Sequence, residues 1–378
     1  MQVVVAVCGR FHGFHLAIAL QQHGVLHTLF TSYPAWGASY FGVDRRRVRS
    51  LWPVELTRRL PGFFLQRSLS ALGLQQFDAW VARNLTEGEV LVGWAGGCLT
   101  SLQQAHRLGM KTVVERSSSH IQHQMAILAE EYDRWGLGFE PNSPQAIDRE
   151  LQEYAQATAI AVPSQFVRQT FLERGFPPTK LLHLPFGVSL TQFHPLPKID
   201  STFRVMFCGN LSLQKGIPYL LQAFAELNLP GAELWLVGTV LPEIRPCLQK
   251  YDREGLRVMG KQPQGQLIRF YAQSSVFCLP SIQDGFGVVI PQAMACGLPV
   301  IHTPHTGGPD IVRDGIDGFC VPIRDVEALQ AKILYLYENP SVLQEMSQNA
   351  RQQAQNALSW ERYGERAIAA YQNLLLSP

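Results

Sequence analysis

Pro280-Ser281-Ile282-Gln283-Asp284-Gly285-Phe286-Gly287-Val288-Val289-Ile290-Pro291-Gln292-Ala293-Met294-Ala295-Cys296-Gly297-Leu298-Pro299-Val300-Ile301 passes through a turn with two glycines into a segment of helical spacing that ends at Gly297 and Pro299. The apolar run just before it, Val276 to Leu279, reads as a strand, so the order is strand, glycine loop, helix. Gly285 and Gly287 let backbone amides come close to a ligand, and a helix start behind them offers unpaired N–H groups and a partial positive charge to an anion. A diphosphate fits such a junction. Asp284 can accept hydrogen bonds from sugar hydroxyls, and Gln292, one turn into the helix, can reach other hydroxyls of the same ligand.

Outward from this unit the same alternation recurs. Strands are expected over 2–8, 25–30, 90–93, 111–115, 158–162 and 181–184, then over 203–208, 233–237, 256–259, 276–279, 300–302 and 319–321, with helices or loops between. Buried strands separated by helices argue for α/β architecture with parallel sheets covered on both faces. The stretch 185–201, with Pro185, Pro195 and Pro197, reads as a connection between two such halves. Ligands of such folds bind at the carboxyl ends of the strands, so a cleft between two sheets is the expected site. Helices alone are expected after Asp325, over 329–338, 342–355 and 360–375.

With 378 residues, 46% of them hydrophobic, the chain can bury two or three cores and is neither disordered nor fibrous. Its 32 basic and 30 acidic residues leave +2, too little for a global attraction to nucleic acid. The seven cysteines form an odd set without a C-x-x-C pair, which points to a reducing compartment and no structural zinc. No basic leader precedes the first apolar run and no long stretch is uniformly apolar, so a cytoplasmic protein is expected, neither exported nor membrane-spanning.

A second junction is Gly209-Asn210-Leu211-Ser212-Leu213-Gln214-Lys215-Gly216-Ile217-Pro218, directly after the strand at 203–208. It puts the Lys215 ammonium where it can neutralise phosphate oxygens of a leaving group. With both stretches read, the carboxy-terminal half resembles the family 4 glycosyltransferases of the GT-B fold. That family's acid-G-F-G-x(4)-acid-A-M-A-x-G-x-P-V motif is matched from Asp284 to Val300, and its G-x-L-x(3)-K-G motif from Gly209 to Gly216. Two shorter stretches are matched by Pro163 to Val167 and Pro185 to Val188.

The resemblance implies two Rossmann-like domains facing a cleft, 1–190 for the acceptor and 200–358 for a nucleotide sugar, with the helix at 359–378 packing back on the first. It implies a retaining transfer with no cofactor and no bound metal, the nucleotide sugar being a co-substrate. No D-x-D triplet of the kind that metal-dependent sugar transferases use is present. The implied donor contacts are Gly209, Asn210, Lys215, Gly285, Phe286, Gly287, Val288, Gln292, Gly307 and Gly308, with Lys215 and Asp284 at the reacting centre. Three residues depart from the family pattern: Gln292 replaces an acid that holds ribose, Asn210 replaces an arginine of the phosphate loop, and Asp284 is shorter than the usual glutamate.

In the first half, His120 follows the strand at 111–115 and is assigned the family's histidine near the reacting sugar. Arg116, Gly9, His12 and Gly13 are the expected acceptor-side residues. No G-x-G-x-x-G follows the first strand, which counts against a nicotinamide-dependent dehydrogenase. The histidine pairs 12/15, 120/123 and 302/305 lack a carboxylate at ligand spacing, so no metal site is expected. Between 45 and 67, seven arginines against one glutamate give +6, interleaved with Leu51, Trp52, Leu60, Phe63, Phe64 and Leu65. On short helical segments this suits either an anionic membrane surface or a solvated arginine face.

The function read from all this is a glycosyltransferase moving a sugar from a nucleotide-diphosphate donor to a hydroxyl acceptor, in polysaccharide, glycolipid or cell-envelope glycan synthesis. The acceptor is a sugar or a lipid-linked sugar, and nucleic acid is not a partner. Two alternatives share the architecture: a nucleotide-sugar 2-epimerase, and a binding protein without turnover.

Overall fold

A computed structural model describes residues 1–57 and 63–376, apart from the side chains at 56–71. The first sheet holds β1 (Val3–Val7), β2 (Leu26–Thr31), β3 (Val48–Ser50), β4 (Val90–Trp94), β5 (Lys111–Glu115), β6 (Ala159–Val162) and β7 (Leu181–His183). The second holds β8 (Arg204–Cys208), β9 (Glu233–Val237), β10 (Leu256–Gly260), β11 (Val276–Leu279), β12 (Val300–His302) and β13 (Gly318–Cys320). Their orders are β3-β2-β1-β4-β5-β6-β7 and β10-β9-β8-β11-β12-β13, and every pairing is parallel. Helices cover both faces, which is why β1 and β8 are buried along their whole length and read as unbroken apolar runs. Each valine so buried contributes roughly 1.5 kcal/mol or more.

In each sheet the strand order reverses beside the first strand, between β1 and β4 and between β8 and β11. Such reversals open a crevice at the carboxyl ends of the strands. The loops after β1, β5, β8 and β11 therefore meet at one place.

The arginine-rich stretch follows the expected short helical segments in part, at Arg45–Arg47, Pro53–Thr57 and from Phe63. Arg45–Arg47 form one 3-10 turn, capped by the Asp44 carboxylate on the Arg46 N–H at 2.9 Å, and the chain then departs from expectation by entering the edge strand β3. Val48 fills the core and the Arg47 guanidinium bonds the Leu26 carbonyl, which together recruit this stretch to the sheet. Arg58, Arg59 and Leu60 lie outside the described residues, as do the side chains of Phe63, Phe64, Leu65 and Arg67.

The last helix, Trp360–Leu376, packs on the helix Gly13–Gln22 of the first half. The chain crosses between halves twice, side by side, with the Val188 N–H on the Leu358 carbonyl at 2.7 Å and the Arg366 guanidinium on the Pro185 carbonyl at 2.8 Å. Tyr363 and Tyr371 are fully buried in the seam. Gly364 permits the helix contact, because a Cβ there would lie 2.3 Å from the Ala19 Cβ. Overpacking of this kind costs roughly 1–3 kcal/mol. Gly364→Val is therefore expected to lower the thermal midpoint in calorimetry, and Ala19→Gly in the same chain to recover part of the loss; an unchanged midpoint in Gly364→Val would contradict this packing.

Candidate active site

The carboxyl ends of the two sheets enclose a cavity of about 460 Å³, of a size suited to a small ligand. On its second-half wall the Lys215 ammonium hydrogen-bonds Asp284 Oδ2 directly. The lysine loop seats against the strand exit because Gly216 is left-handed, at φ 67°, and a Cβ there would lie 2.0 Å from the Pro280 carbonyl oxygen. Gly287 and Val288 line the same wall, and their backbone N–H groups donate to no acceptor among the described residues. Gln292 Oε1 accepts from the buried Tyr271 hydroxyl at 3.1 Å, which fixes the side chain and leaves its amide NH₂ to donate. A cation, two unpaired amides, a carboxylate and an amide donor on one wall suit a diphosphate followed by sugar hydroxyls.

The facing wall comes from the loop after β1. His12 Nε2 lies 3.2 Å from Glu115 Oε2, and Glu115, buried at the end of β5, receives the Tyr363 hydroxyl at 3.4 Å. The His12 ring packs on Phe186 at 4.2 Å, and its Nδ1 has no hydrogen-bond partner among the described residues. His15 stacks flat on Trp360, with centroids 4.1 Å apart. Burial, then Arg10 and His12, push the His15 imidazole down to about 4. Phe11, at φ 38° and 58% exposed, stands at the cavity rim on backbone that few non-glycine residues adopt.

Between the walls the halves touch through the backbone. A Cβ on Gly285 would lie 1.7 Å from the Ser117 carbonyl oxygen, so only glycine fits there. The Ser164 hydroxyl donates to the Gly285 carbonyl at 2.6 Å, and the buried Gln283 amide donates to Ser118 Oγ at 2.8 Å and Ser119 Oγ at 3.1 Å. Arg324 adds ion pairs to Glu130 at 2.8 Å and Glu131 at 2.6 Å.

Residues 190–353 match the family model Glycosyl transferases group 1. That match contains both Lys215 and Asp284 and stops short of the first half. The chain is 28% identical over 261 residues to a D-inositol 3-phosphate glycosyltransferase of Segniliparus rotundus, covering 62% of this chain and 57% of that protein. It is 28% identical over 193 residues to the capsular polysaccharide biosynthesis glycosyltransferase CapM of Staphylococcus aureus, covering 49% of each. The chain thus spans about half the length of the curated relatives it matches. The crystal structure of Anabaena HepE in complex with UDP-glucose superposes over 99% of this chain and 100% of that one, with a TM-score of 0.73 at 15% identity. The fold is GT-B. Nothing in these comparisons supports the epimerase alternative.

Of the residues singled out from the sequence, the cavity wall gathers His12, Gly209, Lys215, Asp284, Phe286, Gly287, Val288 and Gln292. Asn210 is exposed and outside the wall. Gly307 and Gly308 also lie outside it, and packing explains them: a Cβ would strike the Phe286 ring at 2.2 Å in one case and the His302 ring at 2.2 Å in the other. Gly9 has its N–H on Ser32 Oγ at 2.8 Å and its carbonyl on the Thr31 hydroxyl at 2.9 Å, so neither group faces a ligand. Gly13 makes room for Trp94, 2.9 Å from where its Cβ would be. Arg116 is spent on the Ser119 carbonyl, Gln124 and Glu150, and borders a neighbouring cavity of about 270 Å³ shared with Phe11 and Ser117.

His120 is the main correction. The chain turns away from the cleft after Glu115, so Ser117 reaches the wall while His120 caps the helix Ile121–Arg134, its Nδ1 accepting the Gln122 N–H at 3.3 Å. Its ring packs among Tyr154 and Phe171, 5.2 and 4.9 Å away. Residues not anticipated there include Arg10, Phe11, His15, Phe186, Gln264 and Trp360. His15, one helical turn beyond His12, carried a signal in its i,i+3 spacing; Trp360, brought back from the far end of the chain, carried none. Among the described residues no group of three or more His, Cys, Asp or Glu side chains is arranged to hold a metal ion, and no helix is long and apolar enough to cross a membrane.

Burial, followed by Arg174 and Arg116, pushes the His120 imidazole down to about 3. A depressed histidine stabilises the fold above its ordinary value near 6.5, and that contribution is lost as pH falls toward 3. The thermal midpoint of the wild type should therefore fall relative to that of His120→Asn, which keeps a cap acceptor, across this acid window. A difference between the two proteins that stays constant with pH would contradict the assignment.

Proposed function

We propose that this protein transfers a sugar from a nucleoside-diphosphate sugar to a hydroxyl acceptor, with retention and without a bound metal. The observation that carries the reading is the Lys215–Asp284 pair beside the unpaired amides of Gly287 and Val288, within the region matching the transferase family. Retention rests on the family resemblance. Relatives named for capsular polysaccharide synthesis favour a role in envelope glycan assembly.

In this mechanism the donor diphosphate takes Lys215 from Asp284 and lies along the two amides. These donors meet the charge that develops on the leaving phosphate, which is where fixed dipoles in a cleft act most strongly. Asp284, released from the lysine, accepts from hydroxyls of the donor sugar, and the Gln292 amide donates to ribose. On the facing wall His12, held by Glu115, orients the acceptor hydroxyl through Nδ1. As the acceptor oxygen bonds the anomeric carbon and the bond from that carbon to the phosphate oxygen breaks, the acceptor proton passes to the departing phosphate.

Lys215→Ala should lower nucleoside diphosphate release by about 10²–10³, the usual consequence of removing one transition-state donor, with the thermal midpoint preserved. The assay uses a panel of UDP, GDP and ADP sugars with a lipid extract as acceptor source, with and without EDTA. Release from one donor that depends on the extract and survives EDTA supports a metal-independent transfer to an acceptor, and the anomeric configuration of the product by NMR tests retention. Loss with EDTA overturns the metal-independent part, and undiminished release by Lys215→Ala removes Lys215 from the mechanism.

A further inference from the structure

The free edge of the first sheet carries an unpartnered surface that the donor chemistry does not use. Helix Ala35–Tyr40 packs beside β3, tied by the Ser50 hydroxyl on the Tyr33 carbonyl at 2.6 Å. On this helix Trp36 and Tyr40, four residues apart and so on one face, are 72% and 84% exposed; Trp52, just past β3, is 52% exposed. Arg45, Arg46 and Arg49 are exposed along the same edge and form no ion pair among the described residues. The nearby acid Asp44 is exposed, and its carboxylate accepts the Arg46 backbone N–H rather than a guanidinium.

Exposed tryptophan and tyrosine beside unpaired arginines fit a lipid headgroup layer, where the rings sit at the polar boundary and the guanidinium groups meet phosphate. Charge distribution gives the same orientation. The segment 45–67 carries +6 in a chain whose total is +2, so the rest of the sequence is net negative, and the described arginines of this edge are a local source of attraction to an anionic plane. The edge also adjoins the cleft: the Arg10 guanidinium lies over the Phe41 ring at 4.2 Å, Phe41 follows the exposed helix, and Arg10 lines the cavity.

We propose that the edge bearing Trp36, Tyr40, Trp52, Arg45, Arg46 and Arg49 seats on an anionic lipid bilayer and turns the cleft mouth toward a lipid-linked acceptor. The acceptor half rests on the transferase reading; bilayer docking does not. It also revises the segment involved, since Trp36 and Tyr40 lie upstream of the arginine run.

Vesicle flotation tests it, with phosphatidylcholine alone and with added phosphatidylglycerol, at low salt and at roughly 1 M salt. The wild type should float with the anionic vesicles at low salt, and less at high salt. Replacing Arg45, Arg46 and Arg49 by Gln should weaken binding by about a hundredfold, from about fivefold per arginine near an anionic surface. Trp36→Ser with Tyr40→Ser and Trp52→Ser should lose binding as well, with the thermal midpoint of both variants close to wild type. Absence of wild-type flotation on anionic vesicles overturns the proposal, as does flotation unchanged in both variants. A wild type that stays off vesicles but dimerises through the same aromatics overturns it in favour of self-association. Flotation by a protein that consumes no nucleotide sugar leaves docking standing and removes the transferase reading.

Discussion

A backbone contact with no room for a side chain holds this molecule in its working shape. The Ser117 carbonyl, in the loop after β5, lies where a Cβ of residue 285 would be, and Gly285 is what lets the two halves meet. The contact sits at the root of the glycine loop after β11, so the position of Asp284, Gly287 and Val288 relative to the first half is set by it. The Ser164 hydroxyl and the Gln283 amide fasten the crossing from either side. Hydrogen bonds of this sort, buried and direct, are costly to leave unmade, which favours the closed arrangement once the backbones approach. Gly285 thus serves the site through closure rather than through its own contact with a donor.

The second tie is the chain itself. The linker after β7 and the return before Trp360 run side by side, so the last helix belongs spatially to the first half while its neighbours in sequence belong to the second. That arrangement places Trp360 against His15 and Tyr363 against Glu115, so the far end of the sequence shapes the first-half wall of the cavity. Opening of the cleft would have to pivot at these two crossings, and the network from Tyr363 through Glu115 to His12 would register the motion.

Much of this was legible in the sequence. Unbroken apolar strands and the two glycine-bearing junctions announced two parallel sheets and the residues of one cavity wall, because those features depend on local spacing. What depended on long-range placement was hidden. His120 and His12 look alike as lone histidines near strand ends; the turn after β5 carries one away from the cavity to cap a helix, while the loop after β1 brings the other to the cavity wall. Gly307 and Gly308 looked like ligand-facing glycines, yet their reason is the bulk of Phe286 and His302. β3 was masked by arginines, since an edge strand buries one side chain, Val48, and leaves the rest polar.

The account's central claim is that one nucleotide site is built by both halves of a closed GT-B cleft. Hydrogen–deuterium exchange with and without UDP, GDP or ADP tests it most directly. It predicts that at least one of these nucleotides slows exchange at 209–217 and at 285–290 in the second half, together with the first-half loop at 9–15. Protection confined to some other surface, or none with any of the three nucleotides, would contradict it.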